Sequence, residues 1–224
     1  MPDRYRGPAD MPKRIPIFPL SGALLLPRSE MPLNIFEPRY LAMIEHALGG
    51  DRIIGLVQPA QADGVDITGD QSDRPTVARI GCAGRITAFA EQPDGRMLIT
   101  LTGVARFAIV AEKESAAPWR EVVVDYDAFS QDFEEGFGED QVNRPELIGA
   151  LRAWLDANGL KANWDEVERA NTESLVNTLA MLAPYDGRSK QALLEAPDLK
   201  TRADVLVAIT ERSLAGETRG SSLQ

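Results

Sequence analysis

The sequence predicts an α+β protein: a small, closed or nearly closed β-barrel half with one capping helix, followed by a small helical bundle. Three observations carry this. Apolar residues alternate with period two on both sides of Pro93-Asp94-Gly95, the pattern of a half-buried hairpin. Prolines are dense between residues 12 and 38, where they suit edge strands and crossovers. After Phe129 the spacing changes from two to that of a helix.

Taken in order, residues 1–13 read as a flexible lead. Ile15–Phe18 and Leu33–Ile35 are short apolar strands punctuated by Pro16, Pro19, Pro27 and Pro32. Glu37-Pro38 opens a helix, because proline in the first turn gives up an N–H that would be unpaired anyway; Gly49-Gly50 stops it. Tyr40, Ile44 and Leu48 form its expected buried stripe. Ile53–Gln58 reads as a buried strand and residues 59–75 as a polar loop. Val77–Glu91 and Arg96–Gly103 form the hairpin, with Ile80, Cys82, Ile86 and Ala88 on one face of its first arm. Phe107–Val110 and Glu121–Phe129 add two strands, which completes a barrel-like half over residues 14–129.

Residues 130–144 are acidic and contain glycine, so they read as a linker. Residues 145–215 read as a helical bundle. Leu147, Leu151 and Leu155 form one stripe, and Leu175, Leu179 and Leu182 a second that Pro184 ends. A short helix runs near Arg188–Glu195. A last one starts at Asp198, an N-cap type, and carries Ala203, Leu206 and Ile209. Residues 216–224 read as a disordered tail.

Charge and composition exclude several classes. The 224 residues hold 24 basic and 34 acidic side chains, a net charge of −10, which repels nucleic acid and anionic membrane surfaces. The excess is uneven: eight acids and no base lie between Glu121 and Asp140, a solvated edge or a docking surface for something basic. A single cysteine, Cys82, allows no intrachain disulfide, fits a reducing compartment, and lies in phase with Ile80 and Ile86 as a small core residue. His46, the one histidine, falls on the polar side of its helix, with no second His to form a metal pair. No signal peptide or membrane-spanning stretch is visible, so a cytoplasmic location is expected.

No catalytic motif is complete. There is no Gly-Lys dipeptide and hence no phosphate-cradling Walker loop, and no Gly-x-Ser-x-Gly turn. Ser189 and Lys190 are adjacent, but neighbours on a helix point about 100° apart, which is wrong for a dyad. Gly81-Cys82-Ala83-Gly84 resembles a Gly-x-x-Gly nucleic-acid loop but sits inside a strand, and Gly136-Phe137-Gly138 sits among acids that repel phosphate. The apolar residues between the prolines, including Leu24, Leu26, Met31 and Leu33, with Phe36, Glu37 and Arg39 beside them, are the candidates for a peptide-binding surface; a groove or a free strand edge would satisfy an extended ligand. Glu37 complements the helix dipole, and Arg39 is placed to pair with Glu45 or a partner.

The stretch from Ile15 to Leu48, with Pro19-Leu20, the run Leu24–Pro27 and Phe36-Glu37-Pro38-Arg39-Tyr40, resembles the opening of the Lon-protease N-terminal domain. Arg79 to Val110, with its Pro-Asp-Gly hairpin and Gly103, Arg106 and Phe107, resembles a second signature of that family, and Ser189–Leu199 resembles its helical part. The resemblance implies a PUA-like β-barrel followed by a helical bundle, with no cofactor. It implies binding of unfolded or damaged polypeptides, as a holdase or as an adaptor to an ATP-dependent protease. It matches only the non-catalytic part of that protease, so a stand-alone, non-enzymatic substrate-binding protein is expected. A nucleic-acid-binding module is an alternative, since PUA-like barrels elsewhere bind RNA; a small-molecule pocket or a cryptic hydrolase are others.

Overall fold

The structure is a computed structural model that describes residues 5–60 and 76–221. Six strands, β1 (Arg14–Pro19), β2 (Glu30–Ile35), β3 (Ile53–Val57), β4 (Ile80–Glu91), β5 (Met97–Lys113) and β6 (Arg120–Asp125), form one sheet in the order β2-β5-β4-β3-β1-β6. Only β1 and β3 are parallel; the other pairings are antiparallel. β5 is long enough to serve twice. Its first half pairs with β2 and its second half with β6, so the sheet curls back on itself and β2 is left as an extension with one unpaired edge among the described residues.

Curling buries both faces. Alternate residues of β3 show how: Ile53 and Val57 point into an inner cluster with Ile15, Ile17, Ala105, Phe107 and Val122, while Ile54 and Leu56 join an outer one. The inner space is tight. A Cβ at Gly55 or Gly81 would meet the Phe107 ring at 2.7 or 2.6 Å, so glycine there makes room for the aromatic ring. The outer cluster holds Leu24, Leu25 and Leu26, helix α1 (Pro38–Leu48) and the leucines of the helical half, which joins the two halves in one core.

The helical half contains α2 (Arg144–Ala157), α3 (Trp164–Arg169), α4 (Thr172–Leu182), α5 (Gly187–Glu195) and α6 (Leu199–Ser221). Asn143, Asn171 and Asp186 cap α2, α4 and α5 by accepting from backbone N–H groups three residues on.

Several elements differ from the sequence reading. The two strands expected over Arg96–Gly103 and Phe107–Val110 are one, β5. The strand expected to reach Phe129 stops at Asp125, and Asp127–Phe133 is 3₁₀-helical. Ala88 is exposed, because a register shift between Ile86 and Ala88 reverses the alternation. In α1 the buried residues are Tyr40, Met43, Ile44 and Ala47, and Leu48 is only partly covered. Helix α3 was not expected; its Trp164 carries the Arg152 guanidinium 4.0 Å above its ring. The lead is packed from Tyr5 onward: Met11 is buried in the inner cluster and the Tyr5 hydroxyl accepts from Arg85 at 2.9 Å. The acidic segment expected as a linker contributes a buried Asp132, and helix α6 runs through residues 216–221, where the sequence predicts a tail. The loop expected over residues 59–75 lies mostly outside the described residues; its flanks meet in a Pro59–Val77 bridge.

Candidate functional site

The junction between the halves is built on buried charge. Arg106, on β5, is 1% exposed, and its Nε and Nη2 donate to the two Asp132 carboxylate oxygens at 2.8 Å each. Its backbone N–H donates to the same carboxylate at 2.9 Å, and its Nη1 donates to the carbonyls of Leu194, at 3.1 Å, and Ala196. Its guanidinium also stacks 4.4 Å over Phe129. One side chain therefore ties the sheet, the 3₁₀ segment and the end of α5 together. A buried pair of this kind holds only if every remaining donor is satisfied, and here the carbonyls do that.

Arg28 makes a second clamp. It donates to both oxygens of Glu173 in α4 and, through Nη1, to the Asp132 carbonyl at 2.6 Å. Glu173 also accepts from the Gly136 N–H at 3.0 Å. Arg202 lies behind, 3% exposed, donating to the Leu193 carbonyl and to Asn177 Oδ1; burial, with Arg106 nearby, pushes its guanidinium down to about 10.

These clamps tie the start of β2 and the 3₁₀ segment to α4, and a groove of about 1090 Å³ is lined by all three. One face of α4, Ser174, Asn177, Thr178 and Met181, forms a wall at helical spacing. Glu30, Thr87 and Thr102 line the sheet side. The register continues that sheet surface outward: Glu30 pairs with Thr102, Pro32 with Thr100, and Asn34 with Leu98, which also faces Ala90. Residues paired across strands share a face. Leu98, 46% exposed, and the exposed Ala88 and Ala90 thus extend one apolar-lined surface from the groove's sheet wall.

The expected site residues scatter. Leu24 and Leu26 are core residues at 1% and 0% exposure, so they present no binding surface. Met31 and Leu33 are half-buried on the opposite, core-facing side of β2, paired with Leu101 and Ile99. Phe36 is 64% exposed. Arg39 pairs with Glu37 at 2.9 Å and covers the Tyr40 ring, rather than pairing with Glu45. The unpaired edge of β2 carries Pro32, which has no N–H for a further strand, so the groove is better suited to a ligand than that edge.

Other motifs resolve structurally. His46 is exposed and lies against Trp119, with ring centroids 5.1 Å apart. Cys82 is 1% exposed, and burial pushes its thiol well above the ordinary range. The Lys190 ammonium donates to the carbonyls of Gly22, at 2.9 Å, and Met181, and burial holds its pKa below that of a free lysine. Among the described residues no group of three or more His, Cys, Asp or Glu is placed to hold a metal ion, and no helix is long and apolar enough to cross a membrane.

Sequence reasoning missed the groove. Leu182, assigned to the buried stripe of α4, is 78% exposed and lines it. Its position at the last turn, two residues before Pro184, is the one local sign that it leaves the core.

Comparison with known proteins agrees with this architecture. The solved Lon N-terminal domain protein from Xanthomonas campestris is 22% identical, with a TM-score of 0.60 over 87% of this chain and 97% of that one. The N-terminal domain of the Mycobacterium avium complex Lon protease is 19% identical, with a TM-score of 0.63 over 89% and 98%. The Lon protease of Syntrophus aciditrophicus is 23% identical over 217 residues, 96% of this chain but 27% of that protein. Lon protease 2 of Myxococcus xanthus is 25% identical over 209 residues, 91% and 24%. The chain thus spans about a quarter of the length of the curated relatives it matches. Residues 14–212 match the family described as the ATP-dependent protease La (LON) substrate-binding domain, and the chain belongs to that family.

Proposed function

We propose that this chain binds polypeptides, that its clients are unfolded or damaged segments, and that it acts on them as a holdase or as an adaptor to an ATP-dependent protease. The observation that carries the reading is membership of a substrate-binding-domain family across residues 14–212. The site fits it: the sheet wall of the groove leads onto an outer face carrying exposed Leu98, Ala88 and Ala90, where a client's apolar side chains would leave water. Each contact is small, so binding is tolerant of client sequence and gains from length.

Fluorescence anisotropy tests this with one labelled model protein, supplied folded and permanently unfolded, titrated with the full chain. Saturable binding of the unfolded form alone is expected. Equal binding of both forms, or none, overturns the reading.

A further inference from the structure

The groove beside α4 carries an uneven charge. Five carboxylates and two guanidiniums line it. Two of the five are spent inside the fold, Glu173 on Arg28 and Asp132 on Arg106. Glu30, Glu134 and Glu135 are exposed and make no ion pair among the described residues, with Arg6 as the cation left on that lining. Met181 and the strongly exposed Leu182 supply an apolar end, and the exposed Ser174 and Thr178 supply hydroxyl groups along the same helix face.

We propose that this groove takes a cationic peptide segment: extended chain in which lysine or arginine lies a few residues from an aliphatic or aromatic side chain. The proposal rests on the polypeptide-binding reading above and adds a substrate class to it. At about 1090 Å³ the groove exceeds the usual range of small-ligand sites, about 300–1,000 Å³, and its sheet wall continues onto the face of Leu98, which suits a chain that passes through it. Carboxylates gathered in a concave site focus their potential outward, which raises the association rate of cations and rejects anions. A second copy of this chain is a poor occupant, because each copy carries a net charge of −10. A small polycation matches the carboxylates but leaves Met181 and Leu182 uncovered.

The test uses the full chain and three labelled peptides that share their apolar residues and differ in carrying three lysines, three glutamines or three glutamates. The lysine peptide is expected to bind about tenfold or more tighter than the glutamate peptide at low salt, with the gap closing as salt screens it. The combined substitution Glu30→Gln, Glu134→Gln and Glu135→Gln, checked for folding by circular dichroism, should bring the three peptides within about twofold of one another. Equal affinities in the unsubstituted chain, or discrimination that survives the triple substitution, overturn the proposal. So does spermidine that displaces the lysine peptide at equal charge concentration, or self-association that blocks its binding. A neutral unfolded protein titrated alongside separates the two levels: if it binds while the peptides are not discriminated, only the charge inference falls; if nothing binds, both readings fall.

Discussion

Gly103 faces the carbonyl of Leu26 so closely that a Cβ built on it would stand 2.0 Å from that oxygen. The contact is backbone against backbone, and the Gly103 N–H donates to the Ser29 carbonyl at 2.9 Å while the Gly103 carbonyl accepts from Arg28. Glycine is therefore required by approach, since neither partner is a flexible side-chain end. Gly103→Ala should destabilise the protein by about 2–3 kcal/mol, in the range of overpacked cores. Gly149, exposed in α2 with nothing within 4 Å of its Cβ position, is the control: Gly149→Ala should stabilise by about 0.5–1 kcal/mol. Urea midpoints followed by tryptophan fluorescence check both.

The Arg106–Asp132 pair makes a different prediction. Removing one partner strands the other charge in the core, at a cost of about 3–5 kcal/mol. Asp132→Ala should fall in that range by urea denaturation. The double variant Arg106→Met with Asp132→Leu should recover part of the loss. Full recovery is not expected, because Arg106 also serves the Leu194 and Ala196 carbonyls.

Stability should fall in acid through two helix caps. The Ser189 N–H bonded to Asp186, and the Thr201 N–H bonded to Asp198, hold these carboxylates below their usual range. A depressed folded pKa means stabilisation that is present above the unfolded value, about 3.9, and lost as pH falls through the folded one. Asp186→Ala should cost about 1 kcal/mol at neutral pH. The double change to asparagine keeps both caps but removes their titration, so its urea midpoint should fall less steeply below about pH 4 than that of the unsubstituted chain. Parallel curves would refute the assignment.

Cys82 should be inert in the native state. Its thiol is buried and its ionisation suppressed. Thiol reagents at about pH 8 should label it only at the rate of opening of the fold, with labelling accelerated by subdenaturing urea. Rapid stoichiometric labelling would contradict its placement on β4 within the outer core.

What the sequence disclosed were features set by neighbours in the chain. The turn at Pro93-Asp94-Gly95 is one: Gly95 sits at φ +83°, and Gln92 donates to the Arg96 carbonyl at 2.8 Å. The start of α1 at Pro38 is another. What stayed hidden depends on distant partners. β5 read as two strands because Gly103 and Arg106 look like a break, yet the first makes room for Leu26 and the second binds an aspartate 26 residues onward. Leu24, Leu26 and Leu182 are alike in hydropathy, and only the packing of the helical half against the sheet puts the first two inside and the third on a groove. The groove itself has residues from six separate segments, so no spacing could announce it.

The most direct measurement is amide hydrogen exchange on the full chain, alone and saturated with a permanently unfolded model protein. New protection is expected along β4 and β5 around Ala88, Ala90 and Leu98 and along the Ser174–Leu182 face of α4, with little change near His46 and Trp119. No protection anywhere, or protection confined to the His46–Trp119 side, would contradict it.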